Sequence, residues 1–392
     1  MPIPRLAGQI LAGAAALPVL TAAIVPAASA GARTIPAAPD GVLPVRGVLN
    51  DVAALSPRIA WAVGRTGQCQ TRTLITRWDG SSWRAVPIPA GGRHAWLDGV
   101  AVTSARNAWA VGPTGTLGAG ARPPMLRWNG TAWKPVRIPG AAGGVSLIGV
   151  AAVSARDAWA VGATGAGGTY IARWNGIAWR RVPSPSPHRG SILSGVAATS
   201  ARNAWAVGGT AGGATQALIL HWNGRHWARV PVTGLRAGSL LYRVAMASPR
   251  VGWAVGQTGN RTLIVRWNGN TWKRVSSPDV TGLLTGVTAT SAWNAWAVGV
   301  APIFFFSCAL GRSALARVAL LGVSPGRYRS LIWHWNGRAW KQVATPGLAN
   351  GSGLFGVDAT SAGNAWAVGG AGNNLGPDSK AVVLRWNGST WK

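Results

Sequence analysis

Residues Trp205–Trp227 read WAVGGTAGGATQALILHWNGRHW, and this stretch decides the fold. Trp205 and Val207 alternate with alanines, which is the period of a β-strand with one bulky face and one small face. Asn223-Gly224 is a hairpin signal, because Asn and Gly both tolerate positive φ. The apolar run before it and the Trp after it are then the two strands that the hairpin joins. The stretch therefore predicts three consecutive strands of a small antiparallel sheet.

Seven copies of this pattern fill the chain, each with W-A-V-G followed by W-(N/D)-G-x-x-W. The W-A-V-G tryptophans are Trp61, Trp109, Trp159, Trp205, Trp253, Trp296 and Trp366. The hairpin pairs are Trp78/Trp83, Trp128/Trp133, Trp174/Trp179, Trp222/Trp227, Trp267/Trp272, Trp335/Trp340 and Trp386/Trp391. Apart from one long copy, the period is 43 to 50 residues. Such a period is typical of a propeller or a solenoid.

The copies vary in length mainly at one place. From the second hairpin Trp to the next W-A-V-G is 26 residues in every case but one, where it is 24. From W-A-V-G to the hairpin the separation runs 17, 19, 15, 17, 14, 39 and 20. Constant spans indicate scaffold, and the variable span indicates a loop. In an up-and-down blade this loop shares a face with the link to the next blade, so we expect that face to bind ligands.

These features predict an all-β fold, a seven-bladed β-propeller with four antiparallel strands per blade. The propeller spans 45–392, with blades beginning near 49, 97, 147, 193, 241, 284 and 354 and an insertion at 300–329 in blade six. Three tryptophans per blade are expected to pack against the small face of the next blade. The last copy stops as its fourth strand begins, so residues 31–44, and in particular Arg33–Pro36, are candidates to complete it. The alternative is a chain that is cut short.

Residues 1–30 predict a secretory signal peptide. Arg5 is the one charge, an apolar run follows, and Ala28-Ser29-Ala30 is a small-residue cleavage site. A membrane anchor is the alternative, which Pro18 and Pro26 disfavour. We therefore expect a bacterial protein that is secreted or held at the cell surface, with no transmembrane span in the mature chain.

The chain is strongly basic, with 38 Lys+Arg against 8 acids, all of them Asp, and a formal charge of +30. Because 48% of the residues are hydrophobic, the charge is expected on a folded body. Basic residues recur beside the hairpin tryptophans, before the first at Arg77, Arg127, Arg173, His221, Arg266, His334 and Arg385, and after the second, on the outermost strand, at Arg84, Lys134, Arg180, Lys273, Lys341 and Lys392. They either protect strand edges from pairing or form a rim that binds polyanions nonspecifically. Specific nucleic-acid recognition is not expected, because the repeat spreads the charges.

Two cysteines, Cys69 and Cys308, both follow a W-A-V-G string and are predicted on the same face. They form one disulfide in an exported protein, or stay as two free thiols. The five histidines show no metal-like spacing, so neither a metal nor a cofactor is expected.

The W-(N/D)-G-x-x-W hairpin resembles the Asp-box repeat of bacterial neuraminidases, and the blades also resemble Kelch-like blades. The resemblance implies a secreted bacterial propeller in which the boxes are structural and lie opposite the ligand. Sialidase chemistry in that family uses a Tyr nucleophile activated by Glu, and this chain has no Glu; Tyr170, Tyr242 and Tyr328 are its only tyrosines. The eight Asp do not form a recognisable pair for glycoside hydrolysis. An enzyme is therefore not expected.

Candidate ligand-binding residues lie on the variable-loop face. His94, Trp96 and Asp98 cluster where blade two begins, and Trp96 either stacks on a sugar or plugs the channel. Tyr170, His188 and Arg189 are assigned to the same rim. The insertion holds Phe304, Phe305, Phe306, Arg312, Arg317, Arg327 and Tyr328. It is a patch for a partner or membrane, a lid over the channel, or an out-of-frame stretch of the gene.

The sequence thus predicts an exported, monomeric, non-catalytic propeller that binds a cell-surface glycan or protein through its variable-loop face. The alternatives are a degenerate sialidase-like enzyme that acts on glycans and a basic cell-wall protein that binds polyanions. The sequence does not identify the ligand.

Overall fold

The structure, a computed structural model, describes only part of the chain. The described residues are 34–35, 41–67, 72–88, 95–113, 124–140, 144–210, 215–301, 328–346, 348, 351–372 and 378–392. The predicted signal peptide, both cysteines and most of the insertion lie outside them. Within the described ranges, regular structure is entirely β-strand. Accordingly, no described helix is long and apolar enough to cross a membrane.

Seven sheets built on four antiparallel strands confirm the predicted propeller. The innermost strands are β3 (Val48–Ser56), β7 (Gly99–Ser104), β11 (Val145–Ser154), β15 (Ile192–Ser200), β20 (Ser239–Ser248), β24 (Leu283–Ser291) and β28 (Ser352–Ser361). Each inner strand contacts the inner strand of the next blade, and β28 contacts β3. The ring is therefore closed around a central axis, and the seven inner strands line its channel.

The second strand of each blade carries W-A-V-G. These strands are β4 (Ile59–Thr66), β8 (Asn107–Val111), β12 (Asp157–Thr164), β16 (Asn203–Thr210), β21 (Val251–Thr258), β25 (Asn294–Ala301) and β29 (Asn364–Ala371). The third strands are β5 (Arg72–Trp78), β9 (Met125–Trp128), β13 (Thr169–Trp174), β17 (Gln216–Trp222), β22 (Arg261–Trp267), β26 (Arg329–Trp335) and β30 (Lys380–Trp386). The short fourth strands are β6 (Trp83–Ala85), β10 (Trp133–Pro135), β14 (Trp179–Arg181), β18 (Trp227–Arg229), β23 (Trp272–Arg274) and β27 (Trp340–Gln342).

The hairpin between the third and fourth strands is a side-chain-capped turn. In blade four, the Asn223 Oδ1 accepts hydrogen bonds from the backbone N–H of Arg225 at 3.0 Å and of His226 at 3.1 Å. Gly224 follows with φ of 96°, a conformation that glycine adopts without strain. The Trp222 indole N–H donates to the Ala201 carbonyl oxygen at 3.2 Å, in the turn between the first two strands. Both turns therefore lie together at one end of the propeller, the hairpin end. The strand ends that flank the variable loops lie at the opposite end, the loop end.

The seventh blade takes its outer strand from two distant parts of the chain. Lys392 exchanges two backbone hydrogen bonds with Arg385, of 2.7 and 3.0 Å. Farther along β30, β2 (Val42–Arg46) pairs antiparallel, with Val42 opposite Val382. The sequence predicted residues 31–44, and in particular Arg33–Pro36, in this role. Residues 42–44 do lie in β2, but the described part of Arg33–Pro36, β1 (Thr34–Ile35), pairs with β6 of the first blade instead. Burial explains why β2 takes the position, because Leu43 is 1% exposed in the core between blades seven and one.

A further short strand extends blade five. Strand β19 (Val232–Thr233) follows blade four in the chain and pairs parallel with β23. Blades one and five therefore each have a fifth, outermost strand.

Tryptophan packing between the blades follows the prediction of three aromatic side chains per blade. The Trp159 ring of blade three lies 5.1 Å from Trp222 of blade four and 5.1 Å, edge-on at 88°, from Trp227. At the closure of the ring, Trp366 of blade seven lies 5.0 Å from Trp78 and 5.3 Å from Trp83 of blade one. Each interface is thus one W-A-V-G tryptophan held by a hairpin pair.

The basic residue before each first hairpin Trp also belongs to this layer. The Arg173 guanidinium lies 4.9 Å from the Trp159 ring, and the His221 ring stacks on Trp205 at 4.1 Å. Five arginines and two histidines occupy these equivalent positions. All seven are half-buried, and they contribute cation–π and stacking contacts at the interfaces between blades.

We expect Trp159→Ala to lower the free energy of unfolding by about 3–5 kcal/mol, because it empties a buried interface that the neighbouring tryptophans do not refill. Equilibrium denaturation in guanidinium chloride measures the change. Trp293→Ala is the control, because the Trp293 side chain is 70% exposed; it should change stability by no more than about 0.5 kcal/mol. Equal effects of the two substitutions would contradict the packing account.

A second variant tests the closure of blade seven. Leu43→Ala should cost about 2–5 kcal/mol, the loss typical of a buried leucine. Pro44→Ala, at an exposed neighbouring position, is the matched control. A Leu43→Ala protein with unchanged stability would show that β2 does not complete the blade in solution.

Candidate functional site

Each blade carries Leu-x-Gly-Val at the loop end of its inner strand, with Asp51 or Arg243 in place of Gly in two blades, and x is an extra residue. In blade four, the pairing of β15 with β16 shifts register between Leu193 and Gly195, so Ser194 is bulged out. Five other blades have the same shift. A β-bulge re-aims a side chain, here towards the channel.

The seven x residues line a cavity on the axis. They are Asn50, Asp98, Ile148, Ser194, Tyr242, Thr285 and Phe355, and together with Arg243 they line an open cavity of about 290 Å³. No two of the seven are alike, whereas the flanking Leu and Val are the same in every blade. The cavity wall is therefore the place where otherwise uniform copies differ.

The residue after x is glycine in five blades because the neighbouring inner strand comes too close for a side chain. A Cβ built on Gly195 would lie 2.8 Å from the Tyr242 carbonyl oxygen. The two exceptions are Asp51 in blade one and Arg243 in blade five. The Arg243 Nη1 donates to the Ser194 carbonyl oxygen at 2.7 Å, and its Nη2 donates to the Asp98 carbonyl oxygen of blade two. Arg243 therefore reaches across the channel.

Arg243 lies near two carboxylates. Burial raises the pKa of Asp98, and Arg243 opposes that rise, as Arg65 does more weakly. Burial likewise raises the pKa of Asp51, again opposed by Arg243. The Asn50 Nδ2 donates to the Asp98 Oδ1 at 3.0 Å, and the Asp51 carboxylate accepts from the Val100 backbone N–H at 3.0 Å. A guanidinium and two carboxylates, all three half-buried, thus lie close together at the cavity.

Arg65 responds to the same surroundings. Burial lowers the pKa of its guanidinium, and the Asp98 carboxylate opposes this shift. Arginine remains charged in proteins at neutral pH. Arg65 is therefore a second cation beside Asp98.

A third carboxylate, Asp358, lies three residues beyond Phe355 on β28. Its Oδ2 accepts from the Ala54 backbone N–H at 2.8 Å, and its Oδ1 accepts from the Thr288 hydroxyl at 3.0 Å. Burial raises the pKa of Asp358 to about 6. These contacts join blades seven, one and six around the channel.

The structure brings two predicted site residues together. Asp98 is in the cavity wall, and the half-buried Trp96 hydrogen-bonds the Asp98 carboxylate, which opposes the rise in its pKa. His94 lies outside the described residues. His188 and Arg189 are exposed in the link between blades three and four, at the loop end, but do not line the cavity.

Two predicted tyrosines lie in the core and not on an exposed surface. Tyr170 is 1% exposed, and its hydroxyl donates to the Pro139 carbonyl oxygen at 2.6 Å; burial raises its pKa to about 12. Tyr328 is equally buried, and its hydroxyl donates to the Gly372 carbonyl oxygen. In both cases a large ring fills an interior gap and its hydroxyl finds a carbonyl partner. The other predicted patch residues, Phe304, Phe305, Phe306, Arg312, Arg317 and Arg327, lie outside the described ranges.

Sequence reasoning missed most of the cavity. It did not single out Asn50, Ile148, Ser194, Tyr242, Arg243, Thr285 and Phe355. Alignment of the seven copies on Leu-x-Gly-Val would have found them, since x is variable and Asp51 and Arg243 interrupt the run of glycines.

The remaining described carboxylates are engaged elsewhere. Asp79 pairs with Arg84 at 2.7 Å, Asp157 with Arg173 at 2.8 Å, Asp378 with Arg46 at 3.3 Å, and Asp279 with Arg261. In the part of the chain that the structure describes, no group of three or more His, Cys, Asp or Glu side chains is placed to hold a metal ion.

Comparisons with known proteins show the fold alone. No family model matches the chain, and no curated protein matches it. Among solved structures, YCF48 from Cyanidioschyzon merolae is similar at a TM-score of 0.56 and 16% identity, over 92% of this chain and 100% of that one. YCF48 bound to D1 peptide gives 0.55 and 15%, over 90% and 97%. A GH74 xyloglucanase from Xanthomonas campestris gives 0.53 and 15%, over 91% of this chain and 53% of that one.

We expect Asp358 to add stability as the pH falls from above about 6 towards 3.8, whereas His221 and His334, whose pKa values burial lowers, act in the opposite direction. The pKa of Asp358 is about 6 in the folded protein against 3.8 for the free side chain, so the native state takes up the proton first. Asp358→Asn should remove the Asp358 contribution and leave those of the other groups, so the stability of the original protein relative to this variant should increase as the pH falls. Melting temperatures across this pH range measure the slope, and Asp279→Asn, at an exposed position, is the control. A slope that Asp358→Asn leaves unchanged would contradict the assignment.

Proposed function

We propose that this protein is a non-catalytic binding propeller that takes a short segment of a partner protein into its axial cavity from the loop end. One observation carries the proposal. Seven equivalent positions on the inner face, six of them β-bulges, hold seven different side chains on an otherwise uniform scaffold. Packing between blades does not require this variety, whereas a ligand without sevenfold symmetry does.

The chemistry of the cavity supports a peptide ligand. Tyr242, Thr285 and Phe355 come from the consecutive blades five to seven and give one apolar, partly aromatic side. Asn50 and Asp98, from blades one and two, give a polar side. A peptide offers an apolar side chain and backbone hydrogen-bonding groups within one small volume. A cavity of about 290 Å³ suits a loop or a chain end, and one structure of similar fold is YCF48 bound to D1 peptide.

A surface glycan is the second candidate, and Trp96 is the observation that favours it. Its indole is half-buried beside the Asp98 carboxylate. An aromatic face next to a hydrogen-bond acceptor suits a sugar ring, whose C–H groups stack while its hydroxyls donate.

The binding proposal is preferred over a degenerate sialidase-like enzyme because the channel carboxylates already hold the wall together. Asp51 accepts a backbone N–H, Asp98 accepts from Asn50, and Asp358 accepts from blades one and six. Glycoside hydrolysis needs one carboxyl group free to give a proton and a second free to attack or activate water.

Two further parts of the proposal rest on the sequence. We propose export by a bacterium, on the signal-peptide pattern of residues 1–30, and kinship with Asp-box propellers, supported by the position of the hairpin between the third and fourth strands. We also propose a monomer, because closure of the ring satisfies the inner strands within one chain.

The test screens the full chain against a peptide-display library and a glycan array, then measures affinity for the hits. Ser194→Trp should weaken binding by more than about tenfold, the effect of ~1.4 kcal/mol of lost contact, because the new ring fills the cavity. Tyr242 and Phe355 show that the bulge position accepts large rings. Arg236→Ala, exposed at the loop end outside the cavity wall, is the control.

Two results would contradict the proposal. If a hit binds the Ser194→Trp variant as tightly as it binds the original protein, its binding site is elsewhere on the surface and not in the cavity. Turnover of chromogenic glycosides that disappears in Asp98→Asn would establish an enzyme instead.

A further inference from the structure

The hairpin end exposes apolar side chains. Among the described residues, the exposed large hydrophobic side chains are Ile177 at 87%, Trp293 at 70% and Val153 at 36%. Ile177 lies in the hairpin loop of blade three, and Trp293 lies in the turn between the first two strands of blade six. Val153 is the second-last residue of the inner strand of blade three, beside its turn. All three therefore lie at the same end, away from the axial cavity.

The same end presents a ring of arginines. The turn between the first two strands carries Arg in five blades, at Arg58, Arg106, Arg156, Arg202 and Arg250, and each is exposed. The side-chain stem packs on the hairpin glycine of the same blade; a Cβ on Gly224 would lie 3.3 Å from the Cβ and Cγ of Arg202. None of the five guanidinium groups has an ion-pair partner among the described residues. The aliphatic part of each arginine is thus held against the hairpin, while its guanidinium group faces solvent.

This positive charge is not compensated at the hairpin end. Arg225 and Arg338, in the hairpin loops of blades four and six, are exposed and add two more cations. Two described carboxylates lie at this end, and both are paired, Asp79 with Arg84 and the buried Asp157 with Arg173. The surface therefore attracts anions.

Trp293 takes the place of the arginine in blade six. It packs on Gly337 as the arginines pack on their glycines, and a Cβ on Gly337 would lie 2.5 Å from the ring. One side of the indole is therefore seated on the hairpin while most of the side chain remains in solvent. A fixed, exposed tryptophan within a ring of cations is suited to a boundary between water and an apolar phase.

The shape of the hairpin end favours a flat partner. The hairpin loop has four residues in all seven blades, and the turn between the first two strands has two. Equal lengths give seven equal projections with no loop that forms a groove. Ile177 and Trp293 lie three blades apart in a ring of seven, so both reach a surface together only if the whole end lies flat on it.

We propose that the hairpin end docks on an anionic lipid bilayer, with the arginines at the headgroups and Trp293 and Ile177 in the interfacial layer. Arginines near an anionic membrane each contribute through attraction to the surface potential, and the apolar side chains add a part that salt does not screen. Nucleic acid also attracts arginine and stacks on tryptophan, but a duplex or single strand is held in a groove or channel. This docking is independent of ligand capture in the axial cavity, which lies at the other end.

The first test is sedimentation of the full chain with phosphatidylglycerol–phosphatidylcholine vesicles and with phosphatidylcholine vesicles alone. We expect binding to the anionic vesicles and little to the neutral ones. Arg106→Ala/Arg156→Ala/Arg202→Ala should weaken binding on the order of 100-fold, at roughly fivefold for each arginine. The control removes the same charge from exposed loop-end positions, in Arg72→Ala/Arg236→Ala/Lys380→Ala, and should weaken binding far less. Equal losses in the two triple variants would overturn the proposal.

Trp293→Arg separates a membrane from a polyanion, because it restores the arginine of the repeat and adds charge. At salt concentrations that screen the arginines, the original protein should keep residual vesicle binding that Trp293→Arg lacks. If Trp293→Arg binds vesicles at least as tightly at every salt concentration, the apolar contribution is absent and the proposal fails. The proposal is also overturned if duplex DNA displaces the protein from vesicles and Trp293→Arg binds the DNA as well as the original protein does. That result would assign the hairpin end to nucleic acid. Near-ultraviolet circular dichroism checks that each variant is folded.

Discussion

Each blade is held to the next by the tryptophan of its W-A-V-G string, which lies against the two hairpin tryptophans of the following blade. The contact is large, since each indole buries on the order of 150–250 Å². It is also directional, because one hairpin ring meets the W-A-V-G ring at a tilt and the other meets it edge-on. The same contact recurs where Trp366 meets Trp78 and Trp83, so the ring closes with the interaction that builds it.

This packing holds one basic residue of each blade, half-buried, against the tryptophans between blades. Arginine or histidine before each first hairpin Trp stacks on the W-A-V-G ring, and this contact replaces water with an aromatic face. The carboxylates are few, and three of them, Asp51, Asp98 and Asp358, lie around the axis. The outward surface is therefore left strongly positive while the channel holds charges of both signs.

The two ends of the propeller consequently differ in chemistry. At the loop end, bulges aim unlike side chains into one small cavity, an arrangement suited to one specific ligand. At the hairpin end, the turns repeat with the same length and expose arginines with an indole between them. The repeated turns give an even surface that suits an extended partner. The unlike side chains at the loop end give a pocket. Both follow from a scaffold in which length varies at one end only.

The fold could be predicted from the sequence. The spacing of W-A-V-G and W-(N/D)-G-x-x-W fixes the positions of the strands and turns and the length of the repeat, because both strings have strong local backbone preferences. It also indicated Asp98 and Trp96, since they precede a strand on the variable face. The pairing of β2, and not of Arg33–Pro36, with blade seven is seen in the folded chain alone. It depends on which apolar side chain fits between the blades, and local sequence does not show this. Likewise, the sequence predicted Tyr170 on the rim, whereas the structure buries it in the core. In the sequence, Arg243 is only a position where the repeat has arginine in place of glycine. In the structure it contacts Asp98 across the axis, and no local sequence pattern relates these two residues.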